Sequence, residues 1–334
     1  MTSSKAAANL LLLTLSIAAG LLAVQCTNRP GASTSAARAT RTCVSGATHL
    51  SDRFAMVHGY ITYSAWSEIW AVDPNHPASQ ISLGPSNGMT PIAWSRDGNH
   101  LLLMQRDMSL TGPKEDLYVM NADGSQTRLT CDGLSGEGSF SPDGTKVVIS
   151  RQDDGLYVVD VKGRAPRLIA KSHGAWWLES PAWSPDGSRI AYAVYEELGP
   201  EGMAYEIWTV NPDGTDPRQL VDLGACGTPA GCTGGLAWSP DGSMLAFHSQ
   251  RGWLIHYPTD RLPNQEIFVV HADGSGLHRI SEDGAQPSWS PDGSRIACVR
   301  NNGDVVTMAA DGTSVILVEG VAARRLAWNP VGRT

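Results

Sequence analysis

PAWSPDGSRIAYA, residues 181–193, is the stretch whose reading decides the fold. A short apolar run leads into Ser-Pro-Asp-Gly, and a second apolar run leads out. Pro presets φ at the first corner, Asp tolerates the second, and Gly takes the positive φ that closes a hairpin. The phrase recurs as IAWSRDGNHLLLM (92–104), GSFSPDGTKVVIS (138–150), LAWSPDGSMLAFH (236–248) and PSWSPDGSRIACV (287–299), with a truncated copy, RLAWNPVG, at 325–332. Its aromatic positions, Trp94, Phe140, Trp183, Trp238, Trp289 and Trp328, stand 39 to 55 residues apart. A period of that size, built from short strands, indicates propeller blades.

A second phrase interleaves with the first: IWAVDPNHP (69–77), LYVMNADGS (117–125), LYVVDVKGR (156–164), IWTVNPDGT (207–215), IFVVHADGS (267–275) and VVTMAADGT (305–313). One blade therefore reads strand A (PAW), turn, strand B (RIAYA), loop, strand C (EIWTV), turn, strand D (RQLV), a four-stranded antiparallel meander. The chain enters the repeat with a B-like strand, RFAMVHG (53–59), and a C strand, SEIWAVD (67–73). RRLAW (324–328) then has to supply strand A of the first blade, which removes the open edge. The expectation is an all-β, six-bladed β-propeller over residues 51–334, closed by its C-terminal strand.

These repeats resemble the TolB-like family of WD-repeat-like six-bladed propellers over roughly residues 53–330. The resemblance implies the fold. The motif itself is structural and says little about activity. Residues 27–50 are too short for the α/β domain that precedes the propeller in the family's namesake.

Ahead of the repeats, Lys5 precedes the apolar run LLLLTLSIAAGLLAV (10–24), which reads as a signal peptide or membrane anchor over residues 1–25. Cys26 follows directly, where a bacterial lipoprotein carries its lipidated cysteine. Gln25 departs from the usual cleavage box, so a cleaved signal and an uncleaved helix stand beside lipidation. All three place the body outside the cytoplasm, periplasmic or at the cell surface. Residues 26–50, rich in Ser, Thr and Ala, read as a flexible tether. In an oxidising compartment Cys226 and Cys232, in GACGTPAGC, are expected to form a small disulfide loop. Cys298, inside RIACV, reads as a buried thiol, and Cys43 and Cys131 are a further pairing without predicted geometry.

Net charge is −8, from 25 Lys+Arg against 33 Asp+Glu, which argues against nucleic acid as a partner. The repeated Trp and Asp residues read as packing and turn residues rather than as a site. GPSNG (84–88) matches a hydrolase nucleophile pattern, but lacks the helix that such an elbow needs. NPDGTDP (211–217) is acidic enough to suggest Ca²⁺, yet it is one of six equivalent turns. No catalytic residue, metal ligand or cofactor is assigned.

Topology locates the binding end. The A–B and C–D turns are short and share one rim; the B–C and D–A loops share the other. That second rim holds 106–116, 170–180, 195–205, 223–235 and 249–265, and such variable loops are where binding resides. The candidate ligand-binding residues there are His173, Trp176, Trp177, Glu196, Glu197, Arg251, Trp253, His256 and Tyr257. The expected partner is a protein, peptide or glycan, met by a monomer that touches the membrane through its N-terminus alone. The leading reading is an extracytoplasmic binding or scaffold protein of the cell envelope. The alternative is a propeller-fold lyase or hydrolase acting on a sugar polymer, for which His173, Glu179, Glu197 and His256 could supply acid and base groups.

Overall fold

The computed structural model describes residues 55–332, apart from 66, 110–111, 132, 134, 153, 164–165, 173–175, 198–202, 227–232, 250–264, 310, 312–314 and 319–322. Strands follow the repeat. Blade 1 takes β1 (Ile61–Ala65), β2 (Glu68–Asp73) and β3 (His76–Pro85). Blade 2 is β4 (Met89–Trp94), β5 (His100–Ser109), β6 (Gly112–Asn121) and β7 (Gln126–Arg128). Blade 3 is β8 (Glu137–Phe140), β9 (Lys146–Arg151), β10 (Gly155–Asp160) and β11 (Arg167–Lys171). Blade 4 is β12 (Trp176–Trp183), β13 (Ile190–Glu197), β14 (Met203–Val210) and β15 (Arg218–Cys226). Blade 5 is β16 (Thr233–Trp238), β17 (Met244–Ser249), β18 (Glu266–His271) and β19 (His278–Ser281). Blade 6 is β20 (Ala285–Trp289), β21 (Arg295–Val299), β22 (Val305–Ala309) and β23 (Val315–Val318). The last strand, β24 (Leu326–Trp328), pairs antiparallel with β1 through Ile61–Trp328, Thr62–Ala327 and Tyr63–Leu326. Six four-stranded sheets result, and the C-terminus shuts the ring.

One detail differs from the sequence reading. The first B strand is Ile61–Ala65, not 53–59, and Ala55–Val57 form a 3₁₀ turn. Pairing decides this: Ile61 and Tyr63 pack beside Trp328 between blades 1 and 6, whereas Val57 packs with Trp94 between blades 1 and 2.

The Ser-Pro-Asp-Gly turns are held from inside. Ser141 Oγ donates to Asp143 Oδ1 at 2.5 Å, and the Thr145 N–H reaches the same oxygen at 3.0 Å. Asp186, Asp241 and Asp292 repeat the arrangement. The neighbouring Ser hydroxyl first, then the N–H and hydroxyl of the residue two places beyond the Asp, hold these carboxyls below the usual range, Asp292 at about 2. Gly144 takes φ 68° and Gly187 φ 77°, where a side chain would be strained.

The core is not central. Apolar side chains form six clusters, each between successive blades. The repeated aromatics bridge these gaps. Trp238 Nε1 donates to the Ala182 carbonyl at 3.1 Å, and Trp289 Nε1 to Ala237 at 3.0 Å, each one blade back. Trp94 Nε1 reaches Thr62 Oγ1 at 3.0 Å, and Thr62 passes the bond to the Ala327 carbonyl. Cys298 is fully buried, and burial pushes its thiol up to about 12.

Candidate functional site: a two-ended central channel

The A strands line the ring's axis. The position three residues before each blade aromatic holds Pro91, Glu137, Ser180, Gly235, Gln286 and Arg325. Five of these six, all but Pro91, line a cavity of about 310 Å³ that opens at the turn rim. Local backbone geometry aims several of them. Register shifts interrupt β12, β16 and β20 there, and Ser180 (φ 50°), Gly235 (φ 59°) and Gln286 (φ 54°) lie in the left-handed region. Such bulges re-aim side chains, and a non-glycine residue held there costs on the order of 1 kcal/mol.

Glu137 and Arg325 also line a second cavity, of about 340 Å³, at the opposite end. Their ion pair, at 2.9 Å, joins blade 3 to blade 1 between the two compartments. Ser180 Oγ donates to the other Glu137 oxygen and accepts from the Gly235 N–H at 3.1 Å. Burial alone would raise the Glu137 pKa, but the Arg325 charge and the Ser180 hydroxyl hold it below the carboxylate range. His248, buried beside this pair, accepts the Gln286 N–H on Nδ1 at 3.3 Å, which leaves that nitrogen unprotonated. Burial, opposed by Glu137 and reinforced by Arg325, lowers its pKa to about 4.

The two mouths differ chemically. At the turn rim, Pro142, Pro185, Pro240, Pro291 and Pro330 line the opening, and Arg96 stands where other blades have Pro. Its Nη1 spans to the Pro185 carbonyl of blade 4 at 2.9 Å. At the other mouth, Arg106, Glu115, Glu137, Glu179 and Arg325 meet Ser150, Gln152 and Trp177. Arg106 and Glu115 pair at 2.7 Å. Glu179 is exposed to the solvent of this cavity, yet it lies inside the ring among Glu137, Glu115, Tyr195 and Arg325. Burial, then the Glu137 charge, push its pKa up to about 7, against the Tyr195 hydroxyl and Arg325. Among the described residues no group of His, Cys, Asp and Glu stands ready to hold a metal ion.

Several segments expected as loops at this end are paired strand. β5 and β6 stay in register out to Ser109–Gly112, within 106–116. β13 and β14 pair out to Glu197–Met203, and β14 with β15 out to Met203–Cys226. Continued pairing satisfies the backbone polar groups of these arms. Of the expected ligand-binding residues, Trp176 lies opposite Glu196 and Trp177 opposite Tyr195 in the β12–β13 pair. Trp177 lines the cavity and also packs on the cluster between blades 4 and 5. Glu197 ends β13. His173, Arg251, Trp253, His256 and Tyr257 lie outside the described residues, as do Cys26, Cys43 and Cys232; Cys131 is an exposed free thiol. Ser86 of GPSNG is buried in a turn that leads into strand β4, so no nucleophile elbow forms. Asp213 is occupied by Thr215, and Asp216 by Arg189 and Arg218. Glu137 and Arg325 escaped the sequence reading. Their signal is charge at a repeat position otherwise filled by Pro, Ser, Gly and Gln.

Residues 150–334 match the sequence profile of the TolB beta propeller domain. The chain belongs to that family. An uncharacterized protein of Agrobacterium fabrum is 26% identical over 225 residues, 64% of this chain and 66% of that protein. The Tol-Pal system protein TolB of Anaeromyxobacter dehalogenans is 29% identical over 151 residues, 43% of this chain. This TolB-type propeller thus spans 29% of that relative's length, and just under two thirds of the Agrobacterium protein's. Among solved structures, TolB from Acinetobacter baumannii superposes with a TM-score of 0.60 at 18% identity, covering 82% of this chain and 67% of that one, a likeness of fold.

Proposed function

We propose that the chain is an extracytoplasmic binding or scaffold protein of the cell envelope, monomeric and tethered by its N-terminus, with Cys26 as the lipidated residue. Its partner is a protein, peptide or glycan held at the arm end of the channel. One observation carries this reading: the two mouths are built differently. The turn rim repeats one structural phrase in every blade, whereas the arm end brings charged side chains of blades 1, 2, 3 and 4 around one cavity with Trp177. Unlike groups gathered at one end of a rigid scaffold suit recognition. Membership of the TolB family, one of whose members is a Tol-Pal system protein, supports the envelope setting.

The test is capture from solubilised envelope by the full-length chain, against an Arg106→Ala/Glu115→Ala variant. That pair is solvent-exposed on the arginine side, so its loss should leave the fold intact. Capture should fall at least severalfold, and undiminished capture would refute this end as the binding end. A second reading, an enzyme acting on a sugar polymer, draws support from Glu137 and Glu179, one carboxyl held ionised and the other near neutrality. Turnover of a polysaccharide that ceases in Glu179→Gln would favour it.

A further inference from the structure

We propose that the arm-end cavity is a receptor for a cationic amine, seated between the Glu179 carboxylate and the Trp177 ring. The inference rests on the reading that this end is the binding end. Five charged side chains line the cavity, and four are matched: Arg106 with Glu115 at 2.7 Å, Arg325 with Glu137 at 2.9 Å. Glu179 has no cation within ion-pair distance among the described residues. Its hydrogen-bond neighbour is the Tyr195 hydroxyl, whose one proton also reaches the Thr233 carbonyl. That single proton is shared with Glu179, so Tyr195 opposes the pKa rise but brings no positive charge to match the carboxylate.

Trp177 is the observation independent of the carboxyls. It stands two residues before Glu179 on β12, on the same face of the strand, and both line the cavity. An aromatic ring beside a carboxylate is the chemistry that holds an ammonium group. Gly136 keeps the wall thin, since a Cβ there would collide with the Glu115 carboxylate. A volume of about 340 Å³ admits an alkylamine or one lysine side chain, not a folded domain.

The groups facing Glu179 are Glu137 from β8, Glu115 from β6, Tyr195 from β13 and Arg325 ahead of β24, with His248 of β17 behind Glu137. Three carboxyls against two guanidiniums disfavour an anionic ligand. An arriving ammonium replaces the Glu179 proton, which leaves through the channel water. One amine bound thus releases one proton wherever Glu179 starts protonated.

Titration calorimetry of the full-length chain tests this, with n-butylammonium and Nα-acetyl-lysine methylamide as probes and butanol as the neutral control. Affinity should be about tenfold weaker near pH 6 than near pH 8, because about one Glu179 in ten is ionised one unit below its pKa. Heats in buffers of different ionisation enthalpy should show proton release near pH 6 that fades near pH 8. Glu179→Gln should abolish both the release and the pH dependence. Tighter binding of the lysine amide than of butylammonium identifies a peptide side chain as the source; the reverse identifies a free amine. Binding that is pH-independent and unchanged by Glu179→Gln overturns the proposal. If Glu179→Gln does not fold, proton release by the wild-type chain decides alone. A wild-type chain that captures an envelope partner but binds neither amine sinks this inference and leaves the envelope reading standing; one that does neither sinks both.

Discussion

Replacing Trp328 with Ala should cost more stability than replacing any other blade aromatic, because this indole sits at the ring's closure. Trp328 is 4% exposed. A buried indole removes about 150–250 Å² from water, which at about 25 cal/mol per Å² gives about 4–6 kcal/mol as an upper bound. Truncations of this kind cost about 3–5 kcal/mol once partial relaxation is included. Two contacts included in that cost are visible in the structure: Nε1 donates to the Gly59 carbonyl at 3.0 Å, and the Arg295 guanidinium lies 5.5 Å from the ring centroid. Each is worth about 0.5–1 kcal/mol. Trp183 is the control. It is only partly buried, and its Nε1 bonds at 3.3 Å within its own turn, to the Gly187 carbonyl. Urea unfolding followed by far-UV circular dichroism should show a loss of about 3–5 kcal/mol for Trp328→Ala and roughly half that for Trp183→Ala, with the slope against urea unchanged. Equal losses, or a Trp328→Ala loss under about 1 kcal/mol, would refute closure as the ring's point of greatest leverage.

Other outcomes follow from the channel and the cysteines. His248 has its pKa lowered from 6.5 to about 4, so the unfolded chain binds the extra proton and stability falls as pH drops through that window; His248→Gln should flatten that fall in thermal melts. Glu179 is shifted the other way, from 4.5 to about 7, so the folded chain holds the extra proton and stability declines as pH rises through that range; Glu179→Gln should remove the decline. Cys26→Ser should release the chain from the membrane fraction, whereas unchanged association would point to an uncleaved helix. Cys226 and Cys232 should resist alkylation until reduced when the chain is produced in an oxidising compartment, the loop contributing about 2–3 kcal/mol at most.

The fold was legible because the turn chemistry is local. Ser141, Asp143 and Gly144 bond among themselves and their immediate neighbours, so a copy of the phrase reports a copy of the turn. Closure by residues 326–328 was legible by counting, since a sixth A strand had no other blade to join. The start of the first B strand was not, because 53–59 and 61–65 are both apolar and pairing with β24 alone chooses between them. The arm end was legible in position but not in content. Trp177 was found because the repeat does not require it. Glu137 and Arg325 were missed because they stand 188 residues apart and meet only across the axis of the closed ring.

The same closure sets a timetable for the nascent chain. Thr62 waits 265 residues for the carbonyl of Ala327. Bringing ends that far apart together, rather than the roughly ten-residue ends of a neighbouring hairpin, costs on the order of 3 kcal/mol of extra chain entropy. Until β24 emerges, β1 presents a bare edge, and the faces of blades 1 and 6 that later meet around Tyr63, Val299 and Trp328 stay wet. A chain halted before residue 326 is therefore not a slightly smaller propeller but an open arc with two adhesive ends. Until residues 326–328 arrive, those ends must be kept from other chains.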